Sequence, residues 1–513
     1  MSILEWISFG KVSAERDDLL SNYFFDNGVL NSVIQSPSSF LVLGRKGAGK
    51  TAVFRYFNEN SNQFIEDKDI HIPLSFEDYN WNIHSLLTNE KKAESMLYKQ
   101  SWRLIILIEA IKAYKAWFDQ EGKHIPKRIA SATKLLEKLF DSPVPSIYQI
   151  VGQKLLSISG IKLPNGGVDL EEGSIDSINV NAGEITFDQV QENKSLRQNL
   201  SENIENLINH LDRALSDATL NWPTAFISFD RVDEAWDDVS YESSRKVIAG
   251  LVSACDAINS QYKGKVRPIV FLREDIFDVL SINDANKLRE DCGALLHWNK
   301  DSLTSLILRR VNYFGKLHGK PVITDLDAMF DKTEMRQRAK PSNYLLRRTM
   351  MRPRDMICLL TRTIETMREQ AEDPFAEETI VFESLTCEAI YGAEPGYSEW
   401  LKQEITDEWK VQKPIIVQLL HAIQNNGSTN FTQAAISSEL KKLIGQVSVS
   451  DVLNHLRFLF DNSIIGFKLG ASKEWRFKCF YPSQGFLESN EYRVHEGLVR
   501  ALNLTEARER EEQ

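Results

Sequence analysis

The residues best suited to chemistry lie in a glycine-rich segment, Gly44 to Thr51, whose spacing fits G-x-x-x-x-G-K-[ST]. An apolar run from Ser38 precedes it and a helical pattern follows it, so it is predicted to join a strand to a helix. Its glycines let backbone N–H groups surround a polyphosphate, Lys50 would neutralise phosphate charge, and the Thr51 hydroxyl would bind Mg²⁺. The predicted phosphate-binding residues are Gly44, Arg45, Lys46, Gly47, Ala48, Gly49, Lys50 and Thr51.

A second chemically capable group is acidic and follows another apolar run, FISF. Asp230 ends that run, and its carboxylate is predicted to bind Mg²⁺ directly or through a metal-bound water. Asp233 and Glu234 follow closely enough for one of them to act as general base toward the attacking water. We favour Glu234 over Asp233, although the sequence does not fix which side chain faces the site. The two motifs together imply hydrolysis of ATP or GTP, and we take ATP with Mg²⁺ as the cofactor.

This pair of motifs resembles P-loop NTPases that carry an additional strand between them, and within those the AAA+ and STAND groups. The run Asp230-Arg231-Val232-Asp233-Glu234 is similar to the STAND form of the acidic motif, but Arg231 stands where a small residue is usual. The segments FGKVSAERDDLLSNYF, LVLGRKGAGKTAVF, FLREDIF and LHWNKDSLTSLILRRV resemble a bacterial ATPase family found in conflict and anti-phage defence loci. This likeness covers residues 9 to about 360 and implies a defence role.

The same resemblance draws attention to three arginines. Arg273 follows the predicted strand VRPIVFL, a position where the resembled families have a polar residue that senses the γ-phosphate. Arg273 is therefore predicted to be such a sensor or to act across a subunit interface. The alternative is a salt bridge to a nearby acid. Arg352 and Arg354 flank Pro353 at a predicted helix start, where AAA+ lids present a second sensor arginine, so they are predicted to contact nucleotide unless they form a solvated basic turn. Trp298 is interpreted as a packing anchor rather than a base-stacking platform.

Changes in the periodicity of apolar residues divide the chain into units. Strands alternate with helices through residue 272, which predicts an α/β fold with a mostly parallel sheet. Alternating residues between glycine turns at 155–187 predict one or two surface β-hairpins inside an otherwise helical insertion. The predicted units are a helical lead-in at 1–37, a P-loop ATPase core at 38–274 with the insertion at about 85–190, a helical lid at 275–393, a winged helix at 394–505, and a charged tail at 506–513.

Composition limits the functional classes. Lys plus Arg total 61 and Asp plus Glu total 72, a net charge of −11, so the chain as a whole is expected to repel nucleic acid. Its 5 cysteines are scattered, which favours neither a zinc site nor a disulfide framework and predicts a reduced, cytoplasmic setting. We also expect no membrane segment, because the start does not resemble a signal peptide and no apolar run is long enough to cross a bilayer.

The winged-helix region leaves two partners open. DNA contact would depend on the basic wing, while the slight acidity of the whole region favours a protein-interaction or inter-subunit module. The basic wing residues are Lys468, Lys473, Arg476 and Lys478. We therefore expect a homo-oligomeric, nucleotide-driven switch or assembly ATPase that controls an effector encoded nearby in a bacterial defence system. An ATP-dependent DNA-binding loader is the alternative, and a phosphotransferase fits the helical lid and winged helix less well.

Overall fold

The computed structural model describes residues 2–76, 94–143, 145, 153–164, 175, 178, 185–218, 221–235, 241–372, 380–468, 470 and 474–505. The chain divides into two compact units. The sheet unit comprises Gly28–Arg45 and Lys50–Leu296. The helical unit comprises Met1–Asn27, Lys46–Gly49 and His297–Gln513. The tip of the glycine-rich loop therefore groups with the helical unit, while both ends of the loop belong to the sheet unit.

The strands and α-helices of the described chain are labelled here in chain order. The strands are β1 (Leu41–Gly44), β2 (Ile70–Ser75), β3 (Ala225–Asp230), β4 (Val266–Arg273), β5 (Gly293–Leu295), β6 (Asn430–Phe431), β7 (Ile465–Lys468), β8 (Trp475–Arg476) and β9 (Tyr492–Val494). The helices are α1 (Leu20–Tyr23), α2 (Val29–Gln35), α3 (Lys50–Glu59), α4 (Glu94–Gln120), α5 (Lys127–Phe140), α6 (Gln153–Ser157), α7 (Phe187–Glu192), α8 (Lys194–Leu215), α9 (Tyr241–Gln261), α10 (Glu274–Val279), α11 (Ala285–Cys292), α12 (Lys300–Leu317), α13 (Pro341–Arg348), α14 (Pro353–Ala371), α15 (Cys387–Trp409), α16 (Ile416–Asn426), α17 (Gln433–Ile444) and α18 (Val449–Asp461).

The centre of the sheet unit is a five-stranded sheet in the order β2-β3-β4-β1-β5. Every adjacent pair is parallel. Each residue of β1, β3 and β4 is buried, which explains why these strands read as nearly continuous apolar runs. Because β4 lies between β1 and β3, the predicted additional strand between the two motif-bearing strands is confirmed.

The described part of the predicted insertion is helical. The long helix α4 packs against α9, α8 and α5, and their apolar faces share one core with the sheet. The indole Nε1 of Trp102 on α4 donates to the carbonyl oxygen of Val247 on α9 at 2.9 Å. This bond joins the insertion to a helix that leads into β4.

The prediction of one or two surface hairpins at 155–187 falls mostly outside the described residues, because the glycine turns on which it depends lie within 165–184; the described residues before and after them are helical. This stretch contains part of α6, a 3-10 turn at Ile158–Gly160 and α7. The side-chain amide of Asn203 on α8 donates to the carbonyl oxygens of Ile158 and Ile161, each at 2.8 Å. The described apolar residues before 165, among them Ile158 and Ile161, belong to the core shared with α8. Most of 165–184 lies outside the described residues.

The helical unit contains the predicted lid helices and a winged-helix module. Helices α14 and α15 pack together, and α16, α17 and α18 precede an antiparallel sheet in the order β6-β9-β7-β8. The predicted wing is the antiparallel pair β7 and β8. The sequence did not predict β9, which adds a third strand beside β7.

Residues 2–25 also fold onto this unit. The guanidinium of Arg310 on α12 donates to the carbonyl oxygen of Phe9 at 2.5 Å, and it pairs with the carboxylate of Asp17 at 3.5 Å. The hydroxyl of Tyr23 donates to the same carboxylate. Gly10 adopts a φ of +72°, and a Cβ there would collide with Tyr23 and Arg310, so this position requires glycine. None of the described helices combines the length and apolarity needed to cross a membrane.

Candidate functional site

The glycine-rich loop connects the end of β1 at Gly44 to the start of α3 at Lys50. Gly47 and Gly49 have φ angles of +81° and +98°, whereas Lys46, before Gly47, and Ala48, between the two glycines, are not in the positive-φ region. Alternation of this kind turns successive backbone N–H groups toward one concave side, which forms an anion-binding nest. The loop therefore has the backbone that the sequence motif predicts.

Lys50 sits at the base of this loop. Its Nζ donates to the carbonyl oxygens of Gly44 and Arg45, at 3.2 and 3.4 Å. Burial lowers the pKa of Lys50, and the charge of Asp233 opposes that shift. The amine is thus held near two carbonyl groups and an acid, where a phosphate group would be a far better partner.

Asp230 ends β3 at the same edge of the sheet at which β1 gives way to the loop, because parallel strands point the same way. Only 2% of this residue is exposed. Burial and the charge of Asp233 raise the pKa of Asp230 to about 7, while Lys50 and a hydrogen bond from the Thr51 hydroxyl act in the opposite direction. The sheet unit thus brings together a lysine, a hydroxyl and a buried carboxylate.

The strand order, the nest-forming loop and this acidic strand end decide the fold class. The fold is that of a P-loop NTPase. A hydroxyl oxygen at Thr51 and a carboxylate oxygen at Asp230 also form a hard-oxygen pair of the type that Mg²⁺ prefers. These residues therefore fit the cation that the fold implies.

The predicted base lies in a 3-10 turn, Val232–Ala235, that follows β3. Arg231 enters this turn with a φ of +61°, an unusual backbone for a residue with a side chain. Asp233 is half-buried, and its charge acts on Lys50 and on Asp230. The side chain of Glu234 lies outside the described part of the chain, so the choice between the two acids stays a prediction.

Arg273 lies at the end of β4, in register with Gly44 of β1. Its guanidinium makes two hydrogen bonds to the carboxylate of Asp275, at 3.1 and 2.6 Å. Its positive charge contributes to the lowered pKa of Lys50, so it faces the same edge of the sheet. The pairing of Arg273 with Asp275 matches the salt bridge that the sequence analysis gave as an alternative role. The role of Arg273 as a γ-phosphate sensor stays a prediction.

Within the helical unit, Arg352 contacts the tip of the loop. Its Nη1 donates to the carbonyl oxygen of Lys46 at 3.2 Å, and its Nε bonds to the carboxylate of Asp355 at 3.0 and 3.1 Å. Glu408 lies 3.6 Å from the same guanidinium. Burial disfavours the charged form, but Asp355 and Glu408 outweigh it and raise the pKa of Arg352 above its ordinary value. This arginine remains a cation in the interior.

Arg354 is more exposed, and Glu404 on α15 links it to the loop. The carboxylate of Glu404 accepts a hydrogen bond from Arg354 at 2.9 Å and lies 3.6 Å from the Nζ of Lys46. A Cβ at Gly47 would lie 3.2 Å from the Cβ of Arg354. One carboxylate therefore neutralises two cations that the sequence assigns to nucleotide binding.

Two residues at the loop were not predicted to act on it. Glu404 carries no motif, and Trp298 was interpreted only as a packing anchor. Trp298 is buried and packs near Phe25, with ring centroids 6.1 Å apart. Its indole Nε1 also donates to the carbonyl oxygen of Ala48 at 2.8 Å. Nothing in the spacing of the sequence indicates that Trp298 reaches Ala48 or that Glu404 reaches Lys46.

Comparisons with known proteins give a partial family match and one curated relative. Residues 301–406 match the model of a FunZ-associated C-terminal helical domain, a range that includes Arg352, Arg354 and Glu404. The putative transposon gamma-delta 80.3 kDa protein of Escherichia coli (strain K12) is 27% identical over 376 residues, which cover 71% of this chain and 48% of that protein. The chain thus spans about half the length of the curated relative that it matches.

Two solved structures resemble the chain, each with a low TM-score and a low sequence identity. The Aeropyrum pernix Orc1 protein, in complex with DNA, is 12% identical with a TM-score of 0.36, and the match covers 96% of each chain. Cdc6p from Pyrobaculum aerophilum is 8% identical with a TM-score of 0.29, over 96% of this chain and 93% of that one. At this level of similarity neither structure indicates a function for the chain.

Proposed function

We propose that this chain binds MgATP and hydrolyses it as a molecular switch or assembly ATPase. The observation that supports this most is that Lys50 and Thr51, at the start of α3, lie beside Asp230, at the end of β3, and that Asp233 just after this strand acts on both Lys50 and Asp230. A cation, a hydroxyl and two carboxylates beside a nest of backbone N–H groups form the chemical set that phosphoryl transfer requires.

Each group has a separate task in this proposal. The loop N–H groups and Lys50 bind and orient the phosphates, and Thr51 and Asp230 would hold Mg²⁺. When bound, Mg²⁺ neutralises negative charge on the phosphate oxygens. Asp233 or Glu234 orients the attacking water and accepts its proton. Arg273 and Arg354 are proposed to stabilise phosphate charge, which would require each to exchange its present carboxylate partner.

The partner of the winged helix is proposed to be protein. Two of the described wing cations lie beside acids: Arg476 beside Glu474 at 2.9 Å and Lys468 beside Glu491 at 3.9 Å. A third, Lys478, donates to the carbonyl oxygen of Gln484 at 3.0 Å. Apolar side chains are exposed at the end of α17 and the start of α18, where a DNA-reading module needs polar or basic groups. These side chains are Leu443, Ile444 and Val449.

The biological setting is proposed on sequence resemblance alone. The motifs at residues 9 to about 360 resemble ATPases of bacterial conflict and anti-phage defence loci, so we propose that the switch controls an effector encoded nearby. We also propose a homo-oligomer in a cytoplasmic setting, the latter because the 5 scattered cysteines favour a reduced compartment. An ATP-dependent DNA loader is the competing function.

Phosphate release and particle mass test these proposals together. We expect the purified full chain to release phosphate from ATP with Mg²⁺ but not with excess EDTA, and light scattering to detect a larger assembly with MgATP than without nucleotide. Absence of ATP binding at millimolar concentration would contradict the proposed function. Salt-dependent retention of duplex DNA in a parallel sample would favour the loader, since phosphate contacts weaken as salt rises.

Glu404→Gln is expected to tighten MgATP binding about two- to fivefold. The carboxylate competes with phosphates for Lys46 and Arg354, and partly exposed ion pairs of this type contribute about 0.2–1 kcal/mol each. Titration calorimetry of wild type and variant measures the change. Glu399→Gln is the matched control, because Glu399 lies on the same helix and pairs with Lys402 away from the loop. An unchanged or weaker affinity in Glu404→Gln would show that the two cations do not contact phosphate.

A further inference from the structure

Two carbonyl groups of the glycine-rich loop accept hydrogen bonds from side chains of the helical unit. The indole Nε1 of Trp298 donates to Ala48 at 2.8 Å, and the Nη1 of Arg352 donates to Lys46 at 3.2 Å. Both donor residues are buried, with 5% and 6% of their surface exposed. Buried donors of this kind hold their acceptors firmly, because a lost partner would leave a polar group unsatisfied.

The carbonyls of Ala48 and Lys46 belong to the peptide bonds that carry the N–H groups of Gly49 and Gly47. A trans peptide is planar, and its C=O and N–H point in opposite directions. A donor that holds the carbonyl on the outer side of the loop therefore directs the following N–H toward the concave side. Glycine lets these peptides rotate easily, so these two need an external restraint.

Each donor is itself fixed in place. Residue 299, directly after Trp298, caps α12: the side chain of Asn299 accepts from the N–H of Ser302, and the Ser302 hydroxyl accepts from the N–H of Asn299, each at 2.9 Å. The guanidinium of Arg352 is oriented by the carboxylate of Asp355. Each donor residue is thus restrained by contacts outside the loop, Trp298 also by its packing near Phe25.

We propose that Trp298 and Arg352 are positioning residues that orient the N–H groups of Gly49 and Gly47 for phosphate binding before the nucleotide arrives. The proposal rests on the proposed function, since it concerns the same loop. It also changes the sequence-based role of Arg352, which acts through the loop backbone and does not itself contact nucleotide. If the loop N–H groups are already oriented, less conformational entropy is lost when the nucleotide binds. Loss of this orientation should therefore weaken nucleotide affinity more than it slows hydrolysis.

The test replaces the indole N–H and keeps the ring. Trp298 is exchanged for 3-benzothienylalanine, an isostere of tryptophan with sulfur in place of N–H. The matched control is the same exchange at Trp102, a buried tryptophan whose Nε1 donates to the carbonyl of Val247 at 2.9 Å in the sheet unit. Both variants lose one buried hydrogen bond of the same type, so both should lower Tm by a similar few degrees.

We expect only the Trp298 variant to bind MgADP and MgATPγS about five- to tenfold more weakly, as measured by calorimetry, with KM for ATP rising more than kcat falls. Glycine-selective ¹⁵N NMR of the nucleotide-free protein should show shifted amide signals for Gly47 or Gly49 in this variant and not in the Trp102 control. Trp298→Phe provides a second N–H deletion if the isostere does not fold.

The outcomes separate the two proposals. If wild type binds no nucleotide, the proposed function fails, while the NMR comparison still tests whether Trp298 orients the loop. If wild type binds nucleotide and the Trp298 variant matches the Trp102 control in affinity and in glycine signals, the positioning role is overturned. Arg352→Gln is expected to shift the Gly47 signal, and an unchanged signal would remove Arg352 from the proposal.

Discussion

Lys50→Ala is expected to raise the Kd for MgATP at least about 100-fold, equivalent to about 2.7 kcal/mol. The amine of Lys50 is buried at the base of the loop, where it donates to two carbonyl oxygens. Burial lowers its pKa, and the charges of nearby acids, Asp233 above all, oppose that shift. Bound phosphates would supply the missing negative charge, and charge-assisted hydrogen bonds of this type are about twice as strong as neutral ones. Calorimetry with MgATPγS measures the loss.

A matched control distinguishes this effect from damage to the helix. Arg55 is a cation on the same helix, α3, and pairs with Glu59 one turn later at 3.4 Å. Arg55→Ala should leave the Kd within about twofold of wild type, because exposed pairs of this kind contribute little. If Lys50→Ala keeps its thermal stability and still binds ATP with wild-type affinity, the loop is not a phosphate site and the proposed function is wrong.

The parts of the site that could be predicted are those encoded locally. The strand, loop and helix around Gly44 to Thr51 are contiguous, so the apolar run, the glycines and the helical pattern define them together. The acidic strand end at Asp230 is likewise contiguous with its strand. The sheet then brings these two segments to one edge because parallel strands end on the same side.

The parts that the sequence did not predict depend on contacts between distant residues. The indole of Trp298 bonds to Ala48 across 250 positions, and Glu404 reaches the loop from a helix near the far end of the chain. Neither residue type is diagnostic, because a buried tryptophan is ordinarily core and a helical glutamate is ordinarily solvated. The segment around Ile158 stands in the region predicted to form hairpins, but its described residues form a 3-10 turn held by Asn203 of α8, a contact between distant positions.

Glu234→Gln is expected to slow ATP turnover about 100-fold or more while leaving MgATP affinity nearly unchanged. A general base acts on the water in the transition state, and removal of such a group typically costs about 10²–10⁴ in rate. The amide keeps the shape of the side chain but cannot accept the proton. Single-turnover phosphate release measures the rate of hydrolysis, and a separate binding experiment measures the affinity for MgATP.

Asp233→Asn is the informative comparison, because Asp233 is the other candidate for the general base. The charge of Asp233 acts on both Lys50 and Asp230, so its removal should change nucleotide and Mg²⁺ affinity as well as rate. Asp217→Asn, which alters a half-exposed pair with Arg128, controls for the loss of one negative charge. Normal hydrolysis by Glu234→Gln together with loss of turnover in Asp233→Asn would assign the base to Asp233. If Asp233→Asn weakens nucleotide affinity but does not slow hydrolysis, Asp233 is not the base and its role is to stabilise the charged form of Lys50.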